Sequence, residues 1–233
     1  TQNGIEVLYK HNDINDIAQL QFIFDEGTLT DPALPIAAQY VSMRGSETRT
    51  AEQIATEMYS LASSNSFRSG VNQTSYSVSG LSENLGKALE IMEDLIANAK
   101  ADEGVLAELK ADMLQSRAVN KMTQRSCNSA LNNYIYYGPD YIRQTTLTNE
   151  QLAALTSEEL LAKATNLLTK QHTVLYYGPM SENEVRNLLA EYHNVAGDLP
   201  PLVRKYPQMM LTPEAKVFIA PYDARQFNYM QYS

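Results

Sequence analysis

Ile36-Ala37-Ala38-Gln39-Tyr40-Val41-Ser42-Met43-Arg44-Gly45-Ser46-Glu47-Thr48-Arg49-Thr50-Ala51-Glu52-Gln53-Ile54 is the stretch on which the fold turns. It reads as two helices joined at a glycine. Upstream, Asp31-Pro32 places an N-cap acid before a proline, so the first helix is expected from there to about Met43. Thr50-Ala51-Glu52-Gln53 is a capping box: the Thr and Gln side chains each satisfy a backbone N–H at the helix start. It opens a second helix to about Ala62.

Strands flank this helix pair. Ile5, Val7 and Tyr9 alternate with Glu6, Leu8 and Lys10, and Leu20, Phe22 and Phe24 alternate with Gln19 and Gln21. That period of two predicts strands over 4–10 and 18–24. Two more are expected at 66–71 and 75–81, joined across Asn72-Gln73-Thr74. Ser82 then caps a helix whose stripe is Leu85, Ala88, Leu89, Met92, Leu95 and Ile96, at helical period. A long helix follows from about Glu103 past Arg117, with Leu106, Leu109 and Met113 on one side. Residues 128–137 look helical, and Gly138-Pro139-Asp140 breaks them. Thr148–Gln151, Thr156–Glu159 and Ser181–Glu184 are further capping-box patterns, and 172–177 is a β-rich strand. Hairpin-like strand pairs separated by helix pairs predict an α+β fold, a mostly antiparallel sheet covered by helices.

The chain has 233 residues, of which 44% are apolar, enough for a core. Acids outnumber bases 27 to 18, a net charge of −9. That sign argues against nucleic acid and anionic membrane surfaces as partners. Apolar runs are too short for a membrane span. Cys127 is the only cysteine, so no intrachain disulfide forms, and it reads as a packed, inert thiol. Thr1 and the strand-like Gln226–Tyr232 suggest a fragment excised from a longer polypeptide. The divisions expected are a domain over 1–193, a Pro- and Gly-bearing linker over 194–215, and the first strands of a following, truncated unit over 216–233.

Several pieces, in order, resemble the insulinase/pitrilysin-type metallopeptidases. Asn3-Gly4-Ile5-Glu6-Val7-Leu8 resembles that family's opening strand, and Gln21-Phe22-Ile23-Phe24-Asp25-Glu26-Gly27 its second. Ser82-Glu83-Asn84-Leu85 with Ala88-Leu89 resembles its E-N-L-x-x-A-L helix. Tyr176-Tyr177-Gly178-Pro179 resembles the strand closing its first lobe, and Gly45 to Ile54 the run after its zinc motif. The resemblance covers about residues 3–193 and implies a mitochondrial-processing-peptidase-like domain. In such enzymes H-x-x-E-H stands on the helix before that glycine, and the two His bind zinc while the Glu activates water. At the corresponding positions this chain has Ile36, Gln39 and Tyr40. Ile offers no lone pair, Gln cannot take the water's proton, and Tyr is a poor zinc ligand there. No catalytic, cofactor or metal residue is therefore expected in this chain, and zinc is expected in a sibling domain of the parent.

Other chemistry is sparse. Glu103, Glu108 and Asp112 are candidates for a third zinc ligand, but read better as a solvated helix face. His11, His172 and His193 have no His or Cys partner at ligand spacing and read as ordinary polar residues. No Gly-rich phosphate loop or nucleophile elbow is present. Asn72-Gln73-Thr74 fits a glycosylation sequon and is explained more cheaply by turn chemistry. Tyr134, Tyr136, Tyr137 and Tyr141 either line a peptide surface or pack a helix against the next loop; packing is the stronger reading. The function expected is a non-catalytic, substrate-supporting domain of a larger zinc peptidase. Its partners would be sibling domains and peptide, with a homodimer as a further expectation. The resemblance suggests a bacterial protein of the periplasm or cell envelope. The alternative is a domain of a wholly inactive relative that assembles or binds peptide.

Overall fold

The computed structural model describes residues 5–193, 195, 197–220 and 222. In chain order come β1 (Glu6–His11), β2 (Ile17–Phe24), α1 (Leu34–Ser42), α2 (Ala51–Ser60), β3 (Ser63–Ser69) and β4 (Thr74–Leu81). Then follow α3 (Leu85–Asn98), α4 (Glu103–Asn120), α5 (Gln124–Thr145), α6 (Asn149–Ala154), α7 (Ser157–Leu167), β5 (Thr173–Gly178) and α8 (Glu182–Tyr192).

The strands form one sheet in the order β1-β5-β2-β4-β3. β2 pairs antiparallel with both β4 and β5, β3 antiparallel with β4, and β1 parallel with β5. The sheet is thus mostly antiparallel. Alternation supplies its covered face: Ala18, Leu20, Phe22 and Phe24 of β2 are buried, as are Tyr76 and Val78 of β4 and Val174 and Tyr176 of β5. Ser75, Ser77 and Ser79 stand between the buried residues of β4 on the other face. Helix α3 packs on β4 and β3 through Leu85, Ala88, Leu89, Ile91, Met92, Leu95 and Ile96, the stripe expected from its period.

Three expectations need correction. β1 and β2 do not pair as a hairpin, because β5 lies between them. A period-two pattern selects a face for a strand and carries no information about its neighbour. Helix α1 starts at Leu34, not at Asp31. Asp31 instead closes a turn ahead of the helix, its Oδ1 accepting from the Ala33 N–H, and its other oxygen is taken by Lys163 Nζ at 2.6 Å. Ser82 opens a single 3₁₀ turn rather than α3 itself, which begins at Leu85.

Among the described residues of 197–220 there is no helix or strand, so Lys216–Ala220 is not the strand expected there. A β-prone run becomes a strand only when a second backbone takes its hydrogen bonds. The expected strand at Gln226–Tyr232 lies outside the described residues. The segment nevertheless lies against the body of the protein. The Pro200 carbonyl accepts from Gln171 N–H at 2.9 Å, and Arg204 pairs with Asp25 at 2.6 Å. Met210 N–H reaches the Tyr136 carbonyl at 2.6 Å, and Tyr222 donates to the Met122 carbonyl at 2.9 Å.

Candidate functional site

Helix α1 is apolar on most of its circumference. Ile36 is 3% exposed and Tyr40 is fully buried, whereas Gln39 is exposed. The Tyr40 hydroxyl donates to the Asp102 carbonyl at 3.0 Å and accepts from the Asp102 N–H at 2.8 Å. Both hydroxyl functions are therefore spent on backbone. Asp102 caps α4, its Oδ1 accepting from Gly104 and Val105 N–H. The Val105 N–H first, joined by the Gly104 N–H and the Arg44 guanidinium, holds its carboxyl below the usual range against desolvation. Arg44 completes the joint, donating to the Lys100 carbonyl and stacking over the Tyr40 ring at 5.7 Å. The three side chains thus offer a hydrocarbon, an exposed neutral amide and a phenol committed to the α1–α4 junction.

The loop after α1 is fastened from below. A Cβ on Gly45 would lie 2.5 Å from the Arg49 carbonyl, so only glycine lets the loop fold back on the start of α2. Asp94 of α3 accepts from Ser46 Oγ at 2.6 Å, Thr48 Oγ1 at 2.9 Å and Arg49 at 3.1 Å, with Asn98 on its second oxygen. Burial works against its charge, and these four donors prevail, holding the carboxyl below its ordinary value. Arg49 also reaches Glu57 of α2 at 3.0 Å. The Gly45–Thr50 run therefore pins the α1–α2 corner onto α3. Its capping box is formed in full: Gln53 N–H donates to Thr50 Oγ1, and Thr50 N–H to Gln53 Oε1.

The later acids do not converge on α1. Glu103, Glu108 and Asp112 are exposed on α4, and Glu103 accepts from the Ser157 N–H at the start of α7. Among the described residues no three His, Cys, Asp or Glu side chains form a group able to hold a metal ion.

Two histidines are brought together that their positions in the chain do not suggest. His172 Nε2 lies 2.8 Å from His193 Nε2, and both residues are buried. His193 Nδ1 meets Glu93 of α3 at 2.6 Å, and His172 Nδ1 meets the Lys170 carbonyl at 2.8 Å. The rings rest on Phe22 and Phe24, at 4.4 and 4.8 Å between centroids. His11 instead sits at the end of β1 and pairs with exposed Asp13. Sequence reasoning missed the Glu93–His193–His172 chain because it joins three elements far apart in sequence; the only local signal is a His at each boundary.

The tyrosines of α5 pack. Tyr137 lies 4.6 Å from Tyr141, and Tyr134 meets Phe218 edge-on at 5.9 Å. Cys127, half-buried, directs its thiol to the Lys121 carbonyl at 3.5 Å.

Comparison with known proteins places this geometry. The profile of the insulinase family (peptidase family M16) matches residues 38–149, the span from α1 into α6. A solved inactive peptidase M16 domain from Pseudomonas fluorescens superposes with a TM-score of 0.74 at 17% identity. That match covers 89% of this chain and 52% of the other. The periplasmic protease PqqL from Escherichia coli gives 0.73 at 19% identity, covering 89% of this chain and 24% of its own. A ferredoxin protease solved in complex with Arabidopsis ferredoxin gives 0.73 at 14%, with the same coverages. The chain thus spans from about a quarter to about half of these structures.

Proposed function

We propose that this chain, whose residues 38–149 match the profile of the insulinase family (peptidase family M16), serves as a non-catalytic, substrate-supporting domain of a larger peptidase. In this reading Ile36, Gln39 and Tyr40 occupy the positions of the zinc motif. The observation that carries it is the commitment of Tyr40. A motif His must leave an imidazole nitrogen free for metal. Here the hydroxyl is buried and bonded to both backbone groups of Asp102, and Ile36 is packed in the core. The residues present do not fit zinc at these positions, so no hydrolytic step is assigned to this domain. Its metal-bearing counterpart would be a sibling domain, in keeping with the short share of each related structure that this chain spans.

What the domain contributes, we infer, is shape and an edge. Among the described residues β3 pairs on one side only, and α1 packs on it. An extended peptide can add to such an edge through main-chain hydrogen bonds without a side-chain code. The partners proposed are sibling domains and extended peptide. A homodimer in solution would report the surface on which a sibling docks. Likeness to the Escherichia coli periplasmic protease supports a bacterial periplasmic or envelope location. No helix among the described residues is long and apolar enough to cross a membrane.

The experiment is zinc content and peptide hydrolysis of this chain beside the intact polypeptide. A metal-free, inert chain beside an active zinc-bearing parent is the expected result. Stoichiometric zinc with chelator-sensitive hydrolysis by the chain alone overturns the reading. A parent that is also inert and metal-free overturns the peptidase role and leaves assembly or peptide binding.

A further inference from the structure

The buried histidine pair has a proton count fixed by its neighbours. The Lys170 carbonyl only accepts, so His172 carries its proton on Nδ1. The two Nε2 atoms face each other at 2.8 Å, and one proton fits between them. Neutral His172 therefore accepts at Nε2 from His193 N–H, and the far nitrogen of His193 shares a proton with Glu93. The chain ties the end of α8 and the approach to β5 onto α3.

The same spot anchors the segment after α8. Gln171, next to His172, gives its N–H to the Pro200 carbonyl. Leu202 and His172 line one small cleft of about 120 Å³, together with Glu6, Asp25 and Gln171. Arg204 is held there by Asp25, and Leu199 and Leu202 rest on the core.

We propose that the His172–His193 contact is a proton-operated latch: a second proton on His172 breaks the contact and releases the segment 199–210 from its seat beside β5 and β2. Protonation puts N–H on both facing Nε2 atoms, so the bond becomes a clash of donors. Burial, the larger cause, and the neighbouring His193 push His172 down to about 4, while its bond to the Lys170 carbonyl acts in the opposite sense. The charged groups around it are already matched: Glu93 by His193, Glu26 by Lys170 at 2.7 Å, and Asp25 by Arg204. Glu6, on the cleft rim, is exposed to water. A new charge on His172 thus gains no dedicated buried partner and is best relieved by opening the cleft to solvent.

The test is residue-resolved amide exchange by NMR on the full chain from pH 7 to 3.5, corrected for intrinsic exchange, with the His172 ring resonances followed in parallel. Protection of the Gln171 amide, bonded to the Pro200 carbonyl, and of the Met210 amide, bonded to the Tyr136 carbonyl, is expected to fall about tenfold per pH unit as pH drops from about 6.5 toward the His172 midpoint, and to level off below it, for a one-proton event. The paired β2 and β4 amides, which open only with the whole fold, stay better protected than the segment throughout. His172→Gln, which retains a donor and an acceptor, should abolish the step. Arg204→Ala should loosen the segment already at pH 7 and, because the coupling is reciprocal, raise the midpoint of the ring titration. Segment protection that ignores the His172 titration overturns the proposal. So does convergence of segment and sheet protection on one value, which would mean that the fold opens only as a whole, or an unchanged step in His172→Gln. If that variant misfolds, the match or mismatch of midpoints in the unaltered chain still decides.

Discussion

At the scale of single residues, Tyr40 joins two helices. Its ring fills the core beneath α1, and its hydroxyl closes the junction with α4 by taking the Asp102 N–H and giving to the Asp102 carbonyl. Tyr40→Phe keeps the ring and leaves both backbone groups without that partner. Removing one member of a buried hydrogen bond costs about 1–3 kcal/mol, because the remaining group stays desolvated. The expected outcome is a loss in that range in urea unfolding with an unchanged m-value. An unaffected midpoint would mean that water replaces the hydroxyl and that the junction is not held by it. What sequence could supply here was the identity of the side chains: Ile36, Gln39 and Tyr40 are readable without coordinates. The partner was not readable, since Asp102 lies 62 residues on and its N–H carries no sequence signature.

At the scale of elements, local rules were legible and long-range ones were not. The capping boxes at Thr148 and Ser181 form in full, because both halves of the device lie within one turn. At Thr156 only half forms: its hydroxyl accepts from Glu159 N–H, while the Glu159 carboxylate turns to Lys163 at 3.6 Å. The break at Gly138-Pro139 is also as expected. Helical turns stand on both sides of it within α5, yet Gly138 has φ 74° and ψ −177°, a conformation nearly confined to glycine. A Cβ there would meet Met210 Sδ at 3.4 Å, ordinary contact, so the cost of Gly138→Ala comes from the backbone. About 1–3 kcal/mol is expected. Circular dichroism with thermal melting checks it, and a neutral substitution would show that α5 straightens at no cost. The partner of β1 was illegible for the opposite reason: β5 reaches it only after the helices α1 to α7, and the choice is made by packing of the assembled sheet. The seat of 197–220 was hidden in the same way. Its prolines mark it as irregular, but Arg204 finds Asp25 across 179 residues.

At the scale of the whole molecule, the buried histidine makes stability depend on pH in a window set apart from that of the carboxylates. His172 is held at about 4, below its ordinary 6.5, so the unfolded chain takes the proton first as the solution is acidified. Stability is full above about pH 6.5, falls as pH drops toward 4, and flattens once both states are protonated. At 1.36 kcal/mol per unit, the span corresponds to about 3 kcal/mol. The lowered carboxyls of Asp94 and Asp102, and those of Glu150 and Glu184 at helix starts, act lower down. Their contribution is present above the unfolded carboxylate values and is lost as pH falls through the depressed folded ones. Urea unfolding between pH 7 and 4.5 therefore isolates the histidine. The unaltered chain should lose stability progressively across that range, and His172→Gln should lose much less. Parallel curves for the two proteins would show that the acid sensitivity arises elsewhere and that His172 is as free to protonate in the fold as in the open chain.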